Sequence, residues 1–209
     1  MWSDGTVHEA NEDTEATDVD FSDQVLAGQH WRGRRFVGCR FIDADLRGLV
    51  TERCQFDECD FTRADLGESR HRAGALRACV FVRATLTGIM LRNCSLLGSV
   101  FTDCRFRPIT ITDCDLSLVS LGGADLRETD LSGARLREAN LTAADLRGAS
   151  LNRSDLSGAR LSGTRLDGAD LRGATVDAAA LLTARLTGAH IDLELAIAFA
   201  RAHGLRVAL

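Results

Sequence analysis

Proline appears once in 209 residues, as Pro108, and lysine not at all; every one of the 25 basic residues is arginine. No apolar run reaches the length of a membrane span. The acidic start, Met1 to Asp20, holds seven acidic residues and no basic one, so it lacks the basic and apolar regions of a secretory signal. A cytoplasmic protein with no membrane partner is the expectation. Proline donates no backbone hydrogen bond, so its scarcity fits a chain stitched together by such bonds throughout. Seven cysteines are present, yet none falls in a Cys-x-x-Cys pair. The five histidines are scattered, no phosphate-cradling loop is legible, and no Ser–His–Asp or Cys–His constellation appears. The sequence therefore points to no catalytic residue, no metal site and no cofactor.

What the chain does have is a period of five. Positions 21, 26, 31 and onward to 191 make thirty-five sites, and thirty-three of them carry Leu, Phe, Ile, Val or Trp; Thr51 and His71 are the exceptions. An amphipathic helix repeats its apolar residues at three and four, and a long strand at two, so neither accounts for a spacing of five. A solenoid does. The centre of each repeat, i, and the small residue at i−2 point inward from a short extended piece, and the remaining positions turn a corner. Gly occupies i+2 in fourteen of its nineteen occurrences, where a corner needs permissive backbone angles. Four corners close a coil of twenty residues, and at roughly 4.8 Å per coil about nine coils make a rod on the order of 42 Å long.

Folding the sequence by twenty stacks Phe21, Phe41, Phe61, Phe81 and Phe101 in one column, followed by leucines. All seven cysteines fall at i−2, which marks them as small, packed, free thiols. Thr51 and His71 share a column with Trp31 and Leu91. The expectation there is a local bulge that turns His71 outward among Glu68, Arg70 and Arg72, and Pro108 is expected to sit in a distorted corner.

The motif Ala-(Asp/Asn)-Leu-x-x, as in residues 124–128, 139–143, 144–148 and 169–173, resembles the pentapeptide-repeat family. The resemblance implies a right-handed quadrilateral β-helix with i and i−2 inside, over residues 19–191. Further stretches, among them Thr51-Glu52-Arg53-Cys54, Leu97–Phe101, Arg105–Pro108, Leu121-Gly122-Gly123 and Ala198–Leu205, resemble the mycobacterial fluoroquinolone-resistance branch of that family. That resemblance implies a partner, DNA gyrase, reached by imitation of duplex DNA and not by binding nucleic acid directly. It also implies a homodimer joined through the C-terminal region.

Charge tests the imitation. Residues 21–193 hold 22 acidic residues and 23 arginines, so the body of the rod is nearly neutral and only patterning could mimic a polyanion. One outward column at i−1 reads Asp45, Asp65, Thr85, Arg105, Asp125, Asp145. Glu58 and Asp60 add to an N-terminal half expected to be acidic, and together with Asp45, Asp65, Asp125 and Asp145 they form the candidate partner-binding face. A mixed soluble coat with Arg–Asp pairing, on a scaffold for some other protein, is the alternative.

The ends complete the reading. Residues 1–18 are expected to be an acidic disordered leader. After Ile191 the period stops, and residues 192–209 read as a helix and tail with Asp192 as N-cap and Gly204 as terminator. Leu193, Ala196, Ile197 and Ala200 make one apolar stripe, and Leu195 and Phe199 another. That is more than capping one coil requires, so these six residues are the expected dimer interface.

Overall fold

The computed structural model describes residues 15–208. Most of the expected leader lies outside the described residues, but its last part belongs to the rod. Glu15–Thr17 form a strand paired in parallel with Arg35–Val37, so the repeat begins before residue 19. The physical reason is register: Ala16 sits one five-residue step before Phe21 and is small enough to serve as an inward centre.

The chain winds as a β-solenoid of about eight turns followed by a short C-terminal helix. Counting pentapeptides gives about nine, but the last circuit is interrupted by a single helical turn, α1 (Ala178–Leu181). Residues twenty apart pair in parallel, as in Phe36 with Phe56 and Thr51 with His71. Four walls result. Wall one carries the centres Phe21, Phe41 and Phe61; wall two Leu26, Leu46 and Leu66; wall three Trp31, Thr51 and His71; wall four Phe36, Phe56 and Leu76. Strands are at most three residues long because a corner follows at once; the strand Arg35–Val37, for example, buries only its centre. The backbone is saturated coil by coil: Phe41 N donates to Asp60 O at 2.7 Å, and Asp60 N donates to Cys39 O at 3.0 Å.

Corners explain the glycine register. The i+2 residue is left-handed at Gly158 (φ 70°) and equally at Asp43 (φ 56°) and Glu58 (φ 57°). Glycine adopts that geometry without Cβ strain, yet the coil imposes it on aspartate and glutamate too. Pro108 occupies the same i+2 position without the left-handed φ, which its ring forbids, and its peptide bond to Arg107 is cis.

Inside, the Phe column stacks face to face, with ring centroids 4.9 Å apart for Phe21–Phe41, 5.0 Å for Phe41–Phe61, 4.9 Å for Phe61–Phe81 and 4.5 Å for Phe81–Phe101. Above Phe101 the column continues with buried Leu121, Leu141 and Leu161. All seven cysteines are free thiols, buried except Cys104, which is half-buried. Burial raises the Cys54 and Cys104 thiols above their ordinary range, which keeps them protonated and unreactive.

The C-terminal end is closed by α2 (Leu193–Ala202). Asp192 caps it, accepting from Leu195 N at 2.9 Å, and the same carboxylate accepts from Gly173 N in the coil below. Gly204, at φ 82°, follows the helix end.

Candidate partner-binding surface

The expected acidic residues do not form one face. Asp45, Asp65, Asp125 and Asp145 stack along wall two, registered by parallel bridges from Asp45 to Asp65 and from Asp125 to Asp145. Asp60 lies on wall one, and Glu58 at the corner between walls four and one. Wall one adjoins wall two, so the two groups lie on different sides of the rod.

Nor is the wall-two column bare. The residue two places after three of these aspartates is arginine, and the pleat turns it to the same side of the wall. Arg47 grips Asp45 through Nε and Nη2 at 2.8 and 2.7 Å, Arg127 does the same to Asp125, and Arg147 to Asp145. Asp145 also faces Arg127 at 3.9 Å and Arg165 at 3.4 Å. These arginine hydrogen bonds hold the Asp45, Asp125 and Asp145 carboxyls below their usual range. The column is a ladder of zwitterionic pairs, close to neutral at a distance. Asp65 is looser, 4.0 Å from Arg47. Glu58 and Asp60 have no ion-pair partner among the described residues; Glu58 is exposed, while Asp60 is half-buried and accepts from Thr62 N at 2.8 Å.

The N-terminal half is not uniformly acidic. On wall three Arg72 stacks directly on Arg92, Arg70 lies beside them, and Arg53 turns the corner. None of these four has an ion-pair partner among the described residues. Like charges opposite one another on a sheet repel, so this wall is the basic side of the rod.

His71 overturns the expected bulge. It is inside, 3% exposed, with Thr51 at 2% and Ser69 fully buried. Ser69 Oγ donates to Leu66 O at 2.7 Å, which leaves its lone pairs to accept from His71 Nε2–H at 3.0 Å. His71 Nδ1 then accepts from Thr51 Oγ1–H at 2.8 Å. The neutral ε tautomer satisfies every polar atom of the trio, so the wall stays straight. Burial pushes the imidazole down to about 4. The sequence carried the signal in Ser69, the small residue at i−2 of His71, whose hydroxyl serves as a ready acceptor.

At the C-terminal end the two apolar stripes of α2 separate. Leu195 is buried and Phe199 packs against the solenoid core, so this stripe caps its own chain. Leu193 is 76% exposed, and Ala196, Ile197 and Ala200 are half-buried. Leu205 (63%) and Ile191 (36%) add exposed apolar surface nearby in the chain. Among the described residues no group of three or more His, Cys, Asp or Glu is placed to hold a metal ion, and no helix is long and apolar enough to cross a membrane.

The described geometry meets known proteins at three levels. Family models for the pentapeptide repeat region match residues 54–131 and 85–161, and models for pentapeptide repeats in eight copies match 35–70 and 154–191. The chain belongs to the pentapeptide-repeat family. Within the family, it is 53% identical over 73 residues to the pentapeptide repeat protein MfpA of Mycobacterium tuberculosis, covering 35% of this chain and 40% of that protein. It is 52% identical over 56 residues to MfpA of Mycolicibacterium smegmatis, covering 27% and 29%. These alignments span well under half of either relative. Among solved structures, a trypsin-treated variant of QnrB1, a plasmid-mediated fluoroquinolone resistance protein, superposes with a TM-score of 0.80 over 93% of this chain and 97% of that one, at 22% identity. HetL of Nostoc sp. strain PCC 7120, a pentapeptide repeat protein involved in heterocyst differentiation regulation, superposes at 0.67 over 84% and 86%, at 24% identity. At such identities the structural matches establish the shared solenoid.

Proposed function

We propose that this chain is a non-catalytic cytoplasmic protein that binds DNA gyrase in place of DNA, modulates supercoiling and ATP turnover, and protects the enzyme from fluoroquinolones. The observation that carries this reading is the likeness to MfpA, above one-half identity over about a third of the chain, in a rod that superposes over 93% of its residues on a fluoroquinolone resistance protein. A rigid, filled, elongated body supports it as well, since it lies along an extended groove without loss of internal entropy on binding. Charge supports it only in part: the wall-two ladder is neutralised by its own arginines, and the unpaired carboxylates Glu58 and Asp60 are the better candidates to meet a basic groove.

The functional unit in this reading is a homodimer. Leu193, Ala196, Ile197 and Ala200, with Ile191 and Leu205 beside them, face the second copy, while Leu195 and Phe199 hold α2 onto its own coil. The deciding measurement is gyrase-catalysed supercoiling, ATP hydrolysis and drug-stabilised DNA cleavage with and without the protein. Absence of any effect on all three discards the proposal.

HetL, with the same fold and a regulatory role of another kind, favours a second reading in which the rod is a scaffold for a different protein. The two part at the same assay, because a scaffold of that kind leaves gyrase unaffected.

A further inference from the structure

The edge between walls four and one carries a run of exposed apolar side chains that no core requires. Val80 and Val100 occupy successive outward i−1 positions of wall one and pair directly in parallel; they are 39% and 40% exposed. Across the corner Leu97 is 37% exposed, and Leu118, in the left-handed corner position itself, is 53% exposed. Between them, in the Leu118 column, lie Ala78 and Gly98, and a Cβ on Gly98 would meet nothing within 4 Å. The strip is therefore low in the middle and flanked by larger side chains.

Its ends are acidic. In the same corner column Glu58 precedes Ala78 and Glu138 follows Leu118, and Asp60 pairs directly below Val80. Glu58, Asp60 and Glu138 have no ion-pair partner among the described residues. The arginine of wall four closest in register, Arg77, is engaged by Asp57 at 2.8 Å.

The backbone along this edge is closed to strand addition. Glu58 N, Ala78 N, Gly98 N and Leu118 N donate to Arg77 O, Leu97 O, Ser117 O and Arg137 O in the next coil, at 2.9, 2.9, 3.1 and 2.8 Å. A partner segment must satisfy its own backbone, which is what a helix does and an added strand does not. From Glu58 to Glu138 is four coils, about 19 Å at roughly 4.8 Å per coil. A helix rising 1.5 Å per residue covers that distance in about 13 residues.

We propose that this edge is a docking surface for an amphipathic helix of a partner protein, lying along the rod with apolar side chains on the Val80–Val100–Leu118 strip and cationic residues near both ends. The docking surface goes beyond the gyrase reading and stands without it.

The test uses the full chain and a labelled synthetic 16-residue helical peptide with leucines on one face and arginines about 13 positions apart. A control peptide carries glutamates at the ends. In fluorescence anisotropy the arginine peptide binds the wild type at least about tenfold more tightly than the control peptide. Val100→Ser/Leu118→Ser weakens it at least about tenfold, and Glu58→Gln/Asp60→Asn does so in a salt-dependent way. Asp125→Asn/Asp145→Asn, on wall two beyond the far side of wall one, leaves it unchanged. Outward positions carry the changes, and matching melting curves confirm intact folds. Equal binding of both peptides, or indifference to the Val100 and Leu118 substitutions, overturns the proposal. So does dissociation of a dimer by the same two substitutions in sedimentation, which would assign the strip to a second copy of the chain. In parallel, inhibition of gyrase by wild type but not by Val100→Ser/Leu118→Ser makes this edge the gyrase contact. A wild type inert toward gyrase removes the gyrase reading alone and leaves the peptide result to decide.

Discussion

Lowering the pH from 7.5 to 5 should destabilise this protein through one residue, His71. Its imidazole is buried among Thr51, Ser69 and the core centre Leu91, with both ring nitrogens engaged by neutral hydroxyls and no charged group among those partners. Burial lowers it from the ordinary histidine value of 6.5 to about 4. The unfolded chain therefore takes up a proton that the folded chain refuses, and stability is complete above the ordinary histidine range and lost as pH falls toward 4. Linkage over that shift gives about 2 kcal/mol lost at pH 5 and about 3 kcal/mol lost by pH 4. Carboxylates contribute little in this window, because ordinary aspartates have barely begun to protonate at pH 5. The assay is urea unfolding of wild type and His71→Leu at half-unit steps from pH 7.5 to 5, beside a proton NMR titration of the imidazole signals. Wild-type stability should fall by about 2 kcal/mol while the variant stays flat, and the His71 signal should not move. A flat wild-type profile, an equal slope in the variant, or an imidazole that titrates above pH 5 refutes the assignment. The variant's stability at pH 7.5 is a separate matter, since leucine suits the wall but leaves the Thr51 hydroxyl without its partner.

Three other outcomes are expected. Phe61→Ala removes the middle of the stacked column, where Phe61 lies 5.0 Å from Phe41 and 4.9 Å from Phe81, and should cost about 3–5 kcal/mol in urea unfolding, with Phe61→Leu milder because the same column is leucine higher up. Asp170 is held at about 2 by Arg172, and Asp45, Asp125 and Asp145 are lowered by their arginines, so a second loss of stability should appear as pH falls through about 4 toward 2; a melting temperature constant from pH 4 to 2 contradicts it. Leu193→Asp should convert a dimer to monomers in sedimentation without lowering the melting temperature of the solenoid, whereas Leu195→Asp, at a buried capping position, should lower that temperature.

The sequence made the fold legible because one rule, an apolar centre every fifth residue, is local and repeats. It placed Phe41, Cys59 and Ala169 inside and Asp45 outside without any knowledge of neighbours twenty residues away. The same rule set the glycines at corners, although Glu58 and Asp43 show that the coil enforces the left-handed turn even where the side chain resists it. The candidate surface was far less legible. A column of aspartates looks acidic when read by twenties, but whether it is acidic depends on where Arg47, Arg127 and Arg147 lay their guanidinium groups. The pleat sends those groups back onto the same wall, and the ladder becomes neutral.

His71 shows the same division from the inside. Its position in the register marked it as an exception, and a lone histidine at an apolar centre reads as a bulge. Only the stacking of coils brings Thr51 beneath it and turns Ser69 toward its other nitrogen, so that a polar trio is satisfied inside the wall. By itself the sequence determined the period, the inward or outward direction of the regular positions and the end of the solenoid, since these depend on residues close in the chain. The tertiary structure decided which charges cancel, which stripe of α2 is already used, and where Val80, Val100, Leu97 and Leu118 form one exposed strip. Each of those depends on contacts between successive coils, whose side-chain pairing the repeat does not specify.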